Sequence, residues 1–257
     1  MLPSKGAARR NFSLICGNNI LYLKQTGDCE YLAETTPQAW ESLWKFYFDL
    51  ERNYAQIRGG IASGDAYLTE AAECGKGIRI LRQDPWEMLV AFIISQRKNI
   101  PAIRSAVEVL CERYGQQLHT SRETLYAFPS PRSLAALSQS QLRDCGLGYR
   151  APYVADAARQ AASGELDFQL LADLPDAALL ERLKAVKGVG IKVASSICLF
   201  AYGRTGIAPV DTWIRRVIQE RYQGRDPFPQ YGSAAGILQQ YMFYHALFHK
   251  HDFKQTS

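Results

Sequence analysis

Lys192 and Asp211 are the two residues whose side-chain types and spacing best suit catalysis. Lys192 falls in the first turn of a predicted helix, after the Gly-Val-Gly sequence at 188–190 and between the apolar residues Ile191 and Val193. A helix N-terminus and an apolar environment both disfavour a cation, so both lower the pKa of a lysine. A neutral lysine amine is a nucleophile. An exposed lysine that contacts a phosphate is the alternative, and on Lys192 alone it is the preferred explanation.

Asp211 lies 19 residues further on, after Ala208-Pro209-Val210 and at the start of another predicted helix. Aspartate is a preferred N-cap, and that role alone accounts for this residue. The two roles are compatible, because backbone N–H groups hold a capping carboxylate in place and keep it charged. Such a fixed charge could stabilise positive charge that develops during a reaction.

Gly188 and Gly190 predict a tight turn between two helices in the segment Leu179–Val217. The turn leads into a helix N-terminus, where unpaired N–H groups and the helix dipole favour an anion. A hairpin of this kind can hold a DNA phosphate without reading the base sequence. A plain helical corner with a glycine C-cap explains the same residues equally well.

The elements that position these residues are mostly helical. Two apolar runs between about Asn11 and Tyr31 flank Gly17-Asn18-Asn19, which predicts a β-hairpin. Helix starts are predicted at Thr36-Pro37 and at Asp84-Pro85, where the second helix is apolar all round and so buried. We therefore expect a mainly α fold with a small N-terminal β part (α+β). The domains are predicted to be 1–80, β-containing with a linking helix, and 81–257, a two-lobed helical body around a central cleft.

The composition is that of an ordinary globular protein, with 257 residues, 47% hydrophobic, 21% charged and a net charge of +5. The positive charge suits a polyanion or simply solubility. Six scattered cysteines lack CxxC spacing, which argues against zinc or iron–sulfur sites held by a compact cysteine run. Neither a signal peptide nor a membrane span is apparent. We expect a cytoplasmic protein, or a nuclear one in a eukaryote.

GVGIKV followed by the Asp of PVDTW resembles the helix-hairpin-helix and Gly/Pro/Asp (HhH-GPD) superfamily of DNA glycosylases. The hairpin lysine is similar to that of the bifunctional members, which attack the sugar with an amine and then nick the strand. Monofunctional alkyladenine glycosylases lack this lysine. Endonuclease III-like members usually carry a four-cysteine cluster after the catalytic Asp, whereas this chain has no cysteine after Cys198.

LRQDPWEMLVAFIISQRKNI at 81–100 and DCGLGYRAPYV at 144–154 resemble segments of the 8-oxoguanine DNA glycosylases, and the resemblance implies a role for each matching residue. Lys192 and Asp211 would be catalytic, and Ser196, Gln239 and Phe243 would form the pocket for the flipped base. Arg97, Lys98 and Asn99 would fill the space left by that base, Tyr149 would wedge into the stack, and Arg150 would face the orphaned cytosine. Gly188, Gly190 and Val193 of the hairpin would contact the DNA backbone. Without the resemblance, Phe243 is equally well interpreted as a core residue. Tyr149 and Arg150 are then better interpreted as solvated residues of a Gly-rich turn.

The sequence departs from that family at three places. The Asn-rich triplet of the eukaryotic enzymes is only partly kept at 97–99, and Ala102 stands where those enzymes place a second cytosine-reading arginine. The GQxFRW segment that usually precedes the first strands is not found. These departures bear on the lesion and the opposite base more than on the chemistry.

The resemblance implies a bifunctional glycosylase and lyase that acts as a monomer on damaged double-stranded DNA, away from membranes. The chemistry needs no metal or organic cofactor, although a monovalent cation could bridge the hairpin carbonyls and a phosphate. Two alternatives within DNA binding stay open: a glycosylase for alkylated purines or other oxidised bases, and a non-catalytic helix-hairpin-helix module. A helical protein without any DNA role is the third alternative.

Overall fold

The computed structural model describes residues 11–28 and 30–249 of the chain. The strands are β1 (Asn11–Cys16), β2 (Asn19–Gln25), β3 (Tyr31–Glu34), β4 (Gln117–His119) and β5 (Thr124–Tyr126). The helices are α1 (Pro37–Ala39), α2 (Lys45–Tyr47), α3 (Tyr54–Gly59), α4 (Ala66–Cys74), α5 (Pro85–Ser95), α6 (Ile100–Tyr114), α7 (Pro131–Ala135), α8 (Gln139–Leu142), α9 (Ala151–Ser163), α10 (Phe168–Ala172), α11 (Asp176–Lys184), α12 (Ile191–Phe200), α13 (Thr212–Arg221) and α14 (Ala235–Phe248). Wider π-helical turns occur at Trp40–Trp44 and Arg143–Leu147, and 3₁₀ turns at Gly148–Arg150 and Pro229–Ala234.

The N-terminal part is a three-stranded antiparallel sheet in the order β1–β2–β3. Gly17 turns the chain between β1 and β2 with φ +57°, a conformation that glycine adopts without strain. Leu21 of β2 packs in a small core with Trp44 and Tyr47. The predicted hairpin is confirmed, and β3 adds a strand beyond it.

The helix starts that matter for the cleft are set by capping side chains. The Glu87 backbone N–H donates to Asp84 Oδ1 (2.9 Å), and Pro85 occupies the first turn of α5. Leu89 and Ile93 of α5 are fully buried, which confirms the predicted buried helix. The sequence predicts a helix that starts at Pro101. α6 begins one residue earlier, at Ile100, because Asn99 provides its cap.

Two hydrophobic cores make up the helical body, which confirms the expected mainly α fold with two lobes. The larger core is built mainly from α5, α6, α9, α11 and α12. The second core is built mainly from α4, α13 and α14, with Leu199 of α12 also contributing. α4 therefore shares a core with the C-terminal helix although it precedes residue 81, and the division into domains at residue 80 stays a prediction.

Two local features lay outside the expectations. The sequence predicts Ser133 as the cap of this helix. Ser130 caps α7 instead, since its hydroxyl accepts from the Ser133 N–H at 3.1 Å. The short hairpin β4–β5 was not anticipated, because three-residue strands are too short to show an alternating pattern. Across the described ranges 11–28 and 30–249, none of the helices combines the length and apolar character needed to cross a bilayer.

Candidate active site

A cleft of about 730 Å³ opens where the two helical cores meet. One wall comes from the loop between α5 and α6 and from the start of α12, both of the larger core. The other wall comes from the start of α13 and from α14, both of the second core. The site residues predicted from the sequence that line this cleft are Arg97, Lys98, Asn99, Lys192, Val193, Asp211 and Phe243. Residues separated by up to 146 positions are thus gathered at one site.

Lys192 lies in the first turn of α12 and lines this cleft, partly withdrawn from solvent. Its Nζ lies 5.1 Å from the centroid of the Phe92 ring. Burial lowers the pKa of Lys192 below the usual lysine range, while the negative charge of Asp211 opposes that shift. The amine is therefore easier to deprotonate than an exposed lysine, as a nucleophile requires.

Asp211 is the N-cap of α13, where its Oδ1 accepts from the backbone N–H of Ile214 at 2.8 Å. This bond fixes the carboxylate on the cleft wall opposite α12. Its charge acts on Lys192 across the cleft. The capping role expected from the sequence is confirmed, whereas stabilisation of a developing positive charge by Asp211 stays a prediction.

The hairpin before α12 depends on Gly188, whose φ is +85°. A Cβ at this position would lie 2.6 Å from Cγ and Cδ2 of Tyr153, so only glycine fits. Gly190, in contrast, has φ −91° and open space around its Cα. Val193 is buried just inside the helix. The backbone N–H groups at the start of α12 have no side-chain cap, as an anion site at a helix N-terminus requires.

Gln96 joins the hairpin to the loop that precedes α9. Its side-chain Nε2 donates to the Gly188 carbonyl at 2.9 Å, and the backbone carbonyl of Gln96 accepts from Arg150 Nη2. Arg150 is buried, lies with its Cζ 4.3 Å from the Tyr149 ring centroid, and also donates to the Leu147 carbonyl at 3.4 Å. The residue expected to face the orphaned cytosine is thus bonded inside the protein.

The 97–99 loop lines the cleft, with an unusual backbone conformation at Arg97 and hydrogen bonds to the protein at Lys98 and Asn99. Arg97 adopts φ +52°, a left-handed conformation unusual for a residue with a side chain. Lys98 donates to the Gly146 carbonyl at 2.7 Å, and burial together with the charge of Arg150 lowers its pKa. Asn99 Oδ1 accepts from the Ala102 N–H at 2.9 Å. These two bonds hold the loop in place.

Tyr149 is about half exposed, as a wedging residue must be. Its ring meets Tyr153 edge to face at 6.4 Å, and Tyr153 in turn packs against Gly188. The exposed aromatic ring therefore stands beside the hairpin.

The residues expected to form the base pocket differ in their surroundings. Phe243 of α14 lines the cleft. Gln239 is buried one turn earlier, and its Oε1 accepts from Gln240 Nε2 at 2.6 Å. Ser196 is buried and donates to the Lys192 carbonyl at 2.9 Å, a bond within α12. The roles of Gln239 and Ser196 toward a base stay predictions, because neither lines the cleft here.

Sequence reasoning missed Phe92 beneath the Lys192 amine and Gln96 beside the hairpin. It also missed Trp213 and Arg215, which line the cleft from the first turn of α13. Asp211 at the cap could have pointed to Trp213 and Arg215, since the first turn of a helix lies beside its N-cap. No spacing in the sequence relates Phe92 to Lys192.

Comparison with known proteins identifies the family. A model described as "HhH-GPD superfamily base excision DNA repair protein" matches residues 90–239. Another, described as "8-oxoguanine DNA glycosylase, N-terminal domain", matches residues 5–89.

Individual relatives agree with these matches. A probable N-glycosylase/DNA lyase of Methanothermobacter thermautotrophicus is 28% identical over 235 residues, which cover 80% of this chain and 73% of the relative. The N-glycosylase/DNA lyase of Saccharomyces cerevisiae is 34% identical over 160 residues, 58% of this chain and 43% of that protein. The Clostridium acetobutylicum 8-oxoguanine glycosylase/lyase, solved with DNA containing cytosine opposite 8-oxoguanine, is 32% identical with a TM-score of 0.87, covering 93% of this chain and 86% of its own. Since one family model covers more than half of the sequence and this solved relative is matched over most of its length, the chain belongs to the 8-oxoguanine DNA glycosylase family of the HhH-GPD superfamily.

Proposed function

We propose that the protein is a bifunctional DNA glycosylase and abasic-site lyase of base excision repair, which removes 8-oxoguanine from duplex DNA with Lys192 as nucleophile. The observation that carries the proposal is the convergence of a desolvated Lys192 amine and the capped carboxylate of Asp211 on one cleft. The named activities of the relatives, N-glycosylase/DNA lyase and 8-oxoguanine glycosylase/lyase, agree with it. We propose further that the protein acts in the cytoplasm, or in the nucleus of a eukaryote, because the DNA lies there.

The reaction starts when a flipped nucleotide enters the cleft beside Phe243. Neutral Lys192 Nζ forms a bond to the anomeric carbon of the sugar, while the bond from that carbon to the purine nitrogen breaks. The electron pair leaves with the base, which takes up a proton, and the attacking amine loses one. Asp211 stabilises the positive charge that develops on the sugar. Opening of the sugar ring gives a Schiff base, and loss of a proton from the adjacent carbon expels the 3′ phosphate.

The DNA backbone is held by the hairpin at Gly188 and Gly190 and by the basic residues on the rim. Arg97, Lys98 and Arg215 give the cleft a positive lining, and Asp211 is the one carboxylate among its described lining residues. Binding should therefore weaken steeply as salt is raised, because each phosphate contact releases counterions. A helical protein without a DNA role predicts no such dependence.

Borohydride trapping on a duplex with 8-oxoguanine opposite cytosine tests the proposal. The wild type should release free base, nick the strand and form a covalent adduct, whereas Lys192→Gln should bind the duplex without doing any of these. Lys187→Gln is the matched control, since Lys187 belongs to the same hairpin but is exposed. If Lys192→Gln still forms the adduct, the nucleophile is elsewhere.

A panel of duplexes separates the proposed substrate from its alternatives. Excision of alkylated purines but not of 8-oxoguanine would assign the chain to another specificity. Binding without excision of any lesion would leave a DNA-binding module. The opposite base should be varied in the same panel, because Ala102 lies beside the 97–99 loop and offers no base-reading side chain.

A further inference from the structure

Glu70 of α4, His245 of α14 and His249, the residue after α14, form a cluster with no part in the proposed reaction. One ligand atom from each lies within 4.8 Å of the other two, and none of the three residues lines the cleft. We propose that this cluster binds a divalent transition-metal ion, Zn²⁺ in the first instance, which joins α4 to α14.

The separation of the donor atoms fits such an ion. His245 Nε2 lies 3.4 Å from Glu70 Oε1. In a tetrahedral Zn²⁺ site with bonds of about 2.0–2.1 Å, neighbouring ligand atoms are about 3.3–3.4 Å apart. One edge of the coordination polyhedron therefore already has its final length. The Glu70 side chain is largely exposed, so it can move to shorten its separation from His249.

The outer contacts of the two imidazoles also fit. His245 Nδ1 lies 3.3 Å from the Tyr67 hydroxyl, and His249 Nδ1 lies 3.0 Å from the His245 carbonyl. Metal-binding histidines usually engage their second ring nitrogen with a backbone carbonyl or another polar group, which fixes the ring and its tautomer. The rings are further restrained by stacking on each other at 4.1 Å and by edge-to-face contact of His245 with Tyr67. Because nearly parallel stacked rings direct their Nε2 atoms along nearly parallel lines, the partly exposed His249 ring must turn for both imidazoles to bind one ion.

The donor set selects the class of ion. Two imidazole nitrogens and one carboxylate suit Zn²⁺ and its first-row neighbours, whereas Ca²⁺ and Mg²⁺ prefer oxygen alone. The ion would hold the helix that carries Gln239 and Phe243 against α4, so its role is to stabilise one wall of the cleft. The competing explanation is an ion pair between His245 and Glu70 with His249 as a helix cap.

Calorimetric titration of the full chain with Zn²⁺ alone, after removal of metals by EDTA, tests the site. We expect one ion per chain, and a Tm that rises by about 5 °C or more at a free Zn²⁺ concentration of about a hundred times Kd. Glu70→Gln and His249→Gln should each weaken binding at least tenfold and abolish the shift. Both residues lie outside the cleft and are not buried, so these variants should fold and keep base excision.

Two control variants show whether any Zn²⁺ bound is adventitious. Cys74→Ser removes an exposed thiol at the end of α4, and His119→Gln removes a histidine of β4. Neither should change the stoichiometry or the Kd. The proposal is overturned if the wild type binds no ion, if Cys74→Ser or His119→Gln abolishes binding, or if both ligand variants bind as well as the wild type.

Discussion

Alanine at Gly188 and alanine at Gly190 should have different consequences although the two glycines belong to one turn. At Gly188 the backbone has φ +85°, and the new Cβ would lie 2.6 Å from Tyr153. Left-handed backbone costs a residue with a side chain about 1–2 kcal/mol, and overpacking costs about 1–3 kcal/mol. The contacted atoms are near the base of the Tyr153 side chain, so rotation of the ring offers little relief. We expect Gly188→Ala to lower the free energy of unfolding by about 2–5 kcal/mol.

Gly190→Ala is the matched control, because φ is −91° there and a Cβ would meet no atom within 4 Å. Replacing an N-cap glycine by alanine should cost about 1 kcal/mol or less. The same open space is where a DNA phosphate would approach the start of α12. The added methyl should therefore weaken DNA binding about tenfold or more, a loss of about 1.4 kcal/mol.

Urea unfolding followed by circular dichroism gives the stability of both variants, and fluorescence anisotropy with a labelled duplex gives their affinities. The reasoning predicts a loss confined mainly to stability at 188 and mainly to DNA affinity at 190. Equal unfolding free energies for the two variants would refute the steric argument at Gly188. Unchanged affinity in Gly190→Ala would refute the placement of a phosphate at the hairpin.

Three further substitutions test the electrostatics of the fold. Because burial lowers the pKa of Lys192, the folded state disfavours the charged form of this side chain. Lys192→Met should therefore be more stable than the wild type at pH 7 and inactive in strand scission. Urea unfolding should show that this difference in stability disappears as the pH rises toward 10.5, where the lysine of the unfolded wild type also loses its charge. Asp211→Asn should keep the helix cap and unfold within about 0.5 kcal/mol of the wild type, while single-turnover base release falls about a hundredfold or more; full turnover would reduce Asp211 to a cap. Burial, with the charge of Asp84, raises the pKa of Glu87 to about 7, so the folded state binds more protons than the unfolded state and stability falls as the pH rises from 4.5 to 7. Glu87→Gln should therefore gain on the order of 2–3 kcal/mol at pH 8 and nothing at pH 4, and an equal gain at both would exclude this cause.

Local chemistry in the sequence was sufficient to place the elements that carry the site. Asp84 and Asp211 cap their helices as expected, because an N-cap depends on a side chain three residues from its partner. The meeting of Lys192 and Asp211 at one cleft was also anticipated, through the resemblance of two short motifs to a family. On the residues alone, the glycines of the hairpin were compatible with two structures, and only φ and the Tyr153 contact distinguish Gly188 from Gly190.

Long-range contacts could not be predicted in this way. The Phe92 ring beneath Lys192 and the Gln96 bond to Gly188 join residues about a hundred positions apart, and they depend on how helices pack rather than on spacing. The inward position of Arg150 was unexpected for the same reason. From the sequence alone, the guanidinium of an arginine in a Gly-rich turn could equally well contact solvent, DNA or the carbonyl of another loop.

The inward position of Arg150 has a thermodynamic consequence for recognition. To face an orphaned base, the guanidinium must release the carbonyls of Gln96 and Leu147, although its Nε is already buried without a hydrogen-bond partner among the described residues. Only the difference between the new contacts and the old ones contributes to affinity, so Arg150→Ala would understate the strength of any bond to DNA. On intact duplex, where no gap opens opposite the side chain, no contact compensates for release. If Arg150 has the predicted role, the protein would travel along undamaged DNA with this arginine withdrawn and would extend it only where a base has left the stack.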